Sequence, residues 1–199
     1  MVKEGFPFII VPGIVALIFG FLQIWPIAGA FVGIALFMAY FFRDPLRTVP
    51  RADNVIVSAA DGRVTRVDET EAGKLVSVFL SPLDVHINRA PIAGTITKVD
   101  YIAGKKIPAT SSEASLVNER NSITITGEKM TVVCTQIAGI LARRIVCWNK
   151  QGDELEIGQK YGLIKFSSRT DLLMPAAVEI NVSVGDRVTG GETIIATLP

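Results

Sequence analysis

The chain falls into two textures. From Gly5 to Phe42 there is no charged residue, and apolar side chains run almost without break. Neither a helical nor a strand period sorts them into an inside and an outside, the pattern of a segment with no aqueous face. Trp25-Pro26, with Gln23 just before it, interrupts the run near its middle. Proline is tolerated at the first position of a new helix, so the run predicts a helical hairpin with arms at about 8–24 and 26–42. Each arm is short against the roughly 17–25 residues of a full crossing, which leaves two crossings and a shallow re-entrant hairpin both open. Lys3 before the hairpin and Arg43, Arg47 and Arg51 after it place both ends on the cytoplasmic side. One lysine ahead of so long a stretch is a poor cleavable signal peptide.

After Pro45 and Pro50 the pattern changes. Short Val/Ile/Thr-rich runs alternate with Gly, Asp and Asn turns, predicting strands at 55–58, 62–67, 75–80, 94–99, 122–125, 130–137, 144–148, 162–166, 178–184 and 193–198. Only 138–143 leaves room for a helical turn. The fold class is therefore mainly β, a sandwiched, barrel-like domain over 43–199 behind an anchoring hairpin over 1–42. There is a weak internal echo, in which a glycine supplies a turn and a β-branched run the strand after it. Asp61-Gly62-Arg63-Val64-Thr65-Arg66-Val67 resembles Ala93-Gly94-Thr95-Ile96-Thr97-Lys98-Val99, with a looser copy at Val184-Gly185-Asp186-Arg187-Val188. The segment 174–198 resembles the hammerhead of biotinyl/lipoyl carrier domains. No lysine follows Lys165 to be modified, which argues against a carrier role.

Composition narrows the chemistry. The 199 residues carry a net charge of +1, with no basic field for nucleic acid. Mean hydropathy is +0.42, the excess lying in the N-terminal run. Cys134 and Cys147 sit in apolar strand-like runs and read as buried, reduced thiols. One histidine and two separated cysteines offer no metal-ligand spacing. Acid–base chemistry by imidazole must pass through His86, the only histidine. Alongside it, Asp61 in an Asp-Gly turn and the Ser167-Ser168 pair form a Ser/His/Asp set. Such sets are defined by geometry rather than order along the chain.

Those motifs together resemble the phosphatidylserine decarboxylase family in its short bacterial and archaeal form. The resemblance covers the whole chain: the hydrophobic hairpin, Phe41-Phe42-Arg43-Asp44-Pro45, Ala60-Asp61-Gly62, the run from Leu80 to Pro91, Asn118-Glu119-Arg120, Ile137-Ala138-Gly139, Ala142-Arg143-Arg144 and Phe166-Ser167-Ser168-Arg169. It implies a proenzyme that cuts itself between Ser167 and Ser168, giving 1–167 and 168–199, and converts Ser168 to a covalent pyruvoyl cofactor. His86 would be the base, oriented and charge-stabilised by Asp61. The pyruvoyl group would serve as electron sink while the serine headgroup of a phospholipid loses carbon dioxide. Arg89, Arg120, Arg143 and Arg144 are the expected phosphate contacts. The expected setting is a cell membrane, and the expected assembly a homodimer. Diacyl and archaeal diether substrates share this headgroup chemistry.

One position departs from the family pattern. Phe-Gly-Ser-Arg is expected where this chain has Phe166-Ser167-Ser168-Arg169. A Cβ at 167 restricts the turn that the attacking hydroxyl needs, so the chain is expected to persist as an uncleaved, inactive precursor. The rival reading is non-catalytic: a membrane-tethered biotinyl/lipoyl-like sandwich that binds partners.

Overall fold

A computed structural model describes residues 1–199 apart from Arg51, Asp53, Lys106, Thr110, Ser112, 141–143 and Ser167. The chain divides into two compact units, Met1–Leu46 and Arg47–Pro199.

The first unit is a helical hairpin. A 3-10 turn at Lys3–Gly5 leads into α1 (Phe6–Phe21), and α2 spans Trp25–Phe41. Pro7 and Pro26 occupy the first helical positions, where their missing N–H groups cost nothing. Gln23 takes a left-handed φ of 59° and turns the chain between the arms. Val2 N–H donates to the Phe42 carbonyl at 3.2 Å, so the hairpin returns to where it began. Phe42 stacks on Phe8, ring centroids 5.3 Å apart, at that closed end. Lys3–Phe21 is long and apolar enough to cross a membrane, with a mean hydropathy of 2.0; Trp25–Phe41 is shorter.

The second unit is mainly β. Its principal element is a curled, half-barrel sheet of eight strands. In spatial order these are β13 (Arg187–Val188), β2 (Gly62–Thr70), β3 (Gly73–Leu80), β11 (Ser168–Met174), β7 (Thr131–Ala138), β6 (Arg120–Thr126), β5 (Gly94–Ile102) and β9 (Glu154–Leu155). Two three-stranded sheets accompany it: β1 (Val55–Val57), β14 (Ile194–Thr197) and β12 (Glu179–Ile180), and β4 (Ile87–Arg89), β10 (Lys160–Lys165) and β8 (Arg144–Cys147). Every strand pairing is antiparallel. Alternating burial along β6 turns Asn121, Ile123 and Ile125 inward. Ile123 and Ile125 join Ile56, Val76, Ile96, Leu172 and Ile195 in one core.

The sequence echo has a structural counterpart. Register slips between Val64 and Arg66 on β2, and between Ile96 and Lys98 on β5, fall at equivalent places in the two copies. Bulges of this kind bend a strand and increase its twist, which curls the sheet. Each copy opens on a glycine because a Cβ at Gly62 would lie 2.1 Å from the Phe79 carbonyl oxygen, and one at Gly94 2.4 Å from that of Thr126.

Three expectations shift. The run expected as one strand over 178–184 pairs only at Glu179–Ile180. At 138–143, Ala138 ends β7 and 141–143 lie outside the described residues. A short helix, α3, lies at Ala114–Val117, where none was expected. The largest difference is β11, a central strand over residues the strand pattern left unassigned.

Candidate active site

Ser168 opens β11, held between Leu80 of β3 and Ala138 of β7. It is fully buried, and its Oγ makes no hydrogen bond to any described residue. Two residues earlier Phe166 adopts φ +66°, a conformation costly for a bulky side chain, at the corner where β10 gives way to β11. Ser167 itself lies outside the described residues. Immediately after the serine, Arg169 is clamped by an ion pair to Asp171 at 2.9 Å and by hydrogen bonds to the carbonyls of Ala109 and Ser111, both at 3.1 Å. Its guanidinium also donates to Ser115 Oγ. The start of β11 is thus fixed to the segment ahead of α3.

His86 ends the loop leaving β3 and is 2% exposed. Its carbonyl accepts from Ile164 N–H at 3.2 Å, and its Nδ1 lies 2.9 Å from the Asp84 carbonyl oxygen. Two residues on, Asn88 donates to Thr170 Oγ1 at 2.8 Å and accepts from Gln136 Nε2 at 2.8 Å. Gln136 accepts in turn from Asn121 at 3.1 Å. Side chains two residues apart share a strand face. The Asn88–Thr170 bond therefore pins β4 and β11 together one pleat away from His86 and Ser168. Moving from Asn88 to His86, and from Thr170 to Ser168, leads in both cases toward the Phe166 corner. His86 and Ser168 are both buried, at 2% and 0% exposure.

Asp61 is held differently. Its Oδ2 accepts from Arg47 at 2.6 Å and its Oδ1 from Gly190 N–H at 2.8 Å. Burial pushes its pKa above the ordinary carboxylate value. The Gly190 N–H and the Arg47 charge pull it down without cancelling that effect, and the like charge of Asp84 adds a small upward push. A Cβ at residue 190 would sit 3.1 Å from Asp61 Oδ1, so the glycine permits this close approach.

The expected phosphate contacts occupy varied settings. Arg89 is 8% exposed, with a hydrogen bond to the Gly158 carbonyl at 3.0 Å. Arg120 is half-buried and donates to the Leu116 carbonyl at 2.7 Å. Arg144 is exposed at the start of β8, and Arg143 lies outside the described residues. Neither cysteine is disulfide-bonded. Burial raises the pKa of both Cys134 and Cys147, the opposite of what a thiolate nucleophile requires.

Sequence reasoning missed Arg47, Asp84, Asn88, Gln136, Thr170 and Asp171. Asn88 had a usable signal, since strand alternation puts it on the His86 face. Asp84 acts within its own loop, through Ser81 and His86; the rest become visible only when distant segments meet. Asn118, quoted only as part of a motif, is a staple: its Nδ2 donates to the carbonyls of Ile107 and Ala138 at 2.8 and 2.7 Å.

The family model for phosphatidylserine decarboxylase matches residues 34–196. A phosphatidylserine decarboxylase proenzyme of Symbiobacterium thermophilum is 45% identical, covering 99% of this chain and 95% of its own length. Proenzymes of the same name from Geotalea uraniireducens and Paraburkholderia phymatum are 40% and 41% identical, each covering 98% of this chain and 95% and 96% of their own lengths. With a match over most of its length and relatives this similar end to end, the chain belongs to the phosphatidylserine decarboxylase family.

Proposed function

We propose that this chain converts phosphatidylserine to phosphatidylethanolamine, using a pyruvoyl group made from its own Ser168, while its N-terminal hairpin holds it at the cytoplasmic face of a membrane. The observation that carries the reading is the Ser168 hydroxyl, buried at the head of a central strand with no hydrogen bond to a described residue. Most buried hydroxyls are hydrogen-bonded; Ser77 and Ser168 are the buried serines whose Oγ has no partner among the described residues, and of the two only Ser168 lies in the Phe166–Arg169 motif. From the ester with residue 167, Ser168 Oγ would leave with that carboxylate by β-elimination, and water would add at Cα with loss of ammonia, leaving a keto group there. Once formed, that group supplies the electron sink for loss of carbon dioxide.

The chain's own residues have distinct tasks. His86 takes the Ser168 hydroxyl proton as Oγ attacks the carbonyl of residue 167, forming an ester in place of the peptide bond. Asp61 adds negative charge that favours the resulting imidazolium. The left-handed Phe166 stores strain next to the bond that breaks. The Asn121–Gln136–Asn88–Thr170 chain keeps β4 and β11 in register during the rearrangement. Lys3, Arg43 and Arg47 flank the hairpin with the charge bias of a cytoplasmic face.

Intact mass under denaturing conditions, for the chain and for Ser167→Gly, tests the reading. The glycine variant should yield a C-terminal fragment starting at residue 168, lacking a free amine there and trappable with hydroxylamine. It should release carbon dioxide from phosphatidylserine vesicles. If position 167 is the brake, the parent cleaves on the order of 5- to 150-fold more slowly, equivalent to a barrier difference of roughly 1–3 kcal/mol. A Ser167→Gly protein that stays full length and inactive sinks the proposal.

A further inference from the structure

From the loop geometry we infer that Asp84, not Asp61, is the positioning residue for His86, acting by fixing the imidazole in its Nδ1–H tautomer. The inference deepens the proposed role of His86 and rests on it.

A carbonyl oxygen can only accept. The 2.9 Å contact between His86 Nδ1 and the Asp84 carbonyl therefore requires the proton to be on Nδ1. In a neutral ring Nε2 is then the lone-pair nitrogen, the state a general base needs. As Ser168 Oγ forms its bond to the carbonyl carbon of residue 167, its proton passes to Nε2. The imidazolium keeps its Nδ1–H on the same carbonyl, so the ring need not reorient. A carboxylate bound to Nε2 would instead require N–H there and would remove the base. Asp61 is thereby left an electrostatic role, and both its oxygens already accept from Arg47 and Gly190.

The Asp84 carbonyl is aimed by its own side chain. Asp84 is 6% exposed; Oδ2 accepts from the Ser81 N–H at 2.8 Å and from Ser81 Oγ at 2.6 Å. Asp84 N–H returns a bond to the Ser81 carbonyl at 2.9 Å, closing the turn. Oδ1 accepts from Arg187 at 2.6 Å, which ties the loop to β13. Four bonds thus lock the peptide that presents the carbonyl. On the far side, Ile164 N–H holds the His86 carbonyl. This serine–aspartate turn, closed by an arginine from the far end of the chain, sets which nitrogen of His86 is basic.

Because His86 is the only histidine, ¹⁵N-histidine labelling yields the spectrum of one ring. The full chain carrying Ser168→Ala, in detergent micelles at about pH 8, above the ordinary imidazole range, should show Nδ1 protonated and Nε2 bare. Adding Asp84→Ala should convert the ring to mixed tautomers. Ser81→Ala removes only one of the donors to Asp84 and should do so partly, which keeps the test available if Asp84→Ala fails to fold. Asp61→Asn should leave the tautomer unchanged. In the Ser167→Gly background, Asp84→Ala should slow self-cleavage on the order of 10- to 100-fold, with partial rescue by Asp84→Glu. An Nε2–H tautomer in the parent, or one that switches with Asp61→Asn but not with either loop variant, overturns the inference. Normal cleavage by His86→Ala is a separate failure, that of the underlying base assignment, and is told apart because the spectrum does not depend on cleavage.

Discussion

Asp61 shows how one residue can be pulled two ways. Burial favours its neutral form, while Arg47 and the Gly190 N–H favour the carboxylate, and burial prevails. A folded-state pKa above the ordinary 3.8 means this group's contribution to stability is fully present below 3.8 and is lost as pH rises through the raised value. Urea midpoints measured across that window should show the loss, and Asp61→Asn should remove it. Replacing Arg47 with Met should push the Asp61 pKa further up, since two of its lowering influences vanish. With the two side chains only 10% and 16% exposed, leaving Asp61 unpaired should cost about 3 kcal/mol, readable as a lower urea midpoint. An unchanged midpoint would mean that the carboxylate finds another partner. Asp61 was visible in the sequence as an Asp-Gly turn; its arginine, 14 positions earlier, carried no signal.

Among the elements, β11 departs most from a pattern-based reading. Ser168-Arg169-Thr170-Asp171 is polar, yet all four are buried. Their partners arrive from elsewhere: Asn88 for Thr170, and Ser115 with Asp171 for Arg169. Apolar periodicity cannot detect a strand whose burial depends on such pairings. The same dependence makes the polar chain behind it fragile. Gln136→Leu leaves Asn88 Oδ1 and Asn121 Nδ2 without their partner and should cost about 1–3 kcal/mol for each orphaned group. In the Ser167→Gly background it should also slow self-cleavage, as Asn88 loses the bond that holds its amide toward Thr170. Gly162→Ala should have a related effect, because its Cβ would meet the Val146 carbonyl oxygen at 2.4 Å and Gln136 Nε2 at 3.0 Å. Urea denaturation and a cleavage time course on each variant decide the matter; full stability in both would show that the network is dispensable.

For the whole molecule, the division at Leu46/Arg47 predicts that residues 47–199 fold without the hairpin. The truncated protein should be soluble without detergent and show a β-type circular dichroism spectrum with a cooperative melt. Absence of that melt even in detergent would make the hairpin part of the fold. Self-cleavage before Ser168 should not release the smaller piece. Within it, β11 lies between β3 and β7, and β14 between β1 and β12. Arg187 and Gly190 also bind Asp84 and Asp61 of the larger piece. Size-exclusion chromatography of a cleaved sample should give one peak that separates into two chains only in denaturant.

The hairpin and the β texture are written locally, in unbroken apolar composition and in the alternation of β-branched residues with turn formers, so they could be read without coordinates. Asp61, His86 and Ser168 could be singled out as candidates from motifs that resemble the family's, His86 also as the one histidine. Their partners could not. That Asp61 answers to Arg47 and Gly190, and that a polar segment becomes a central strand, depend on contacts between residues far apart in sequence. His86 Nδ1 meets the Asp84 carbonyl only two residues away, through a loop conformation that Ser81 and Arg187 fix. Hydrogen bonds are directional and short, and an imidazole tautomer is set by a single neighbouring atom. Only the folded chain decides which atom that is.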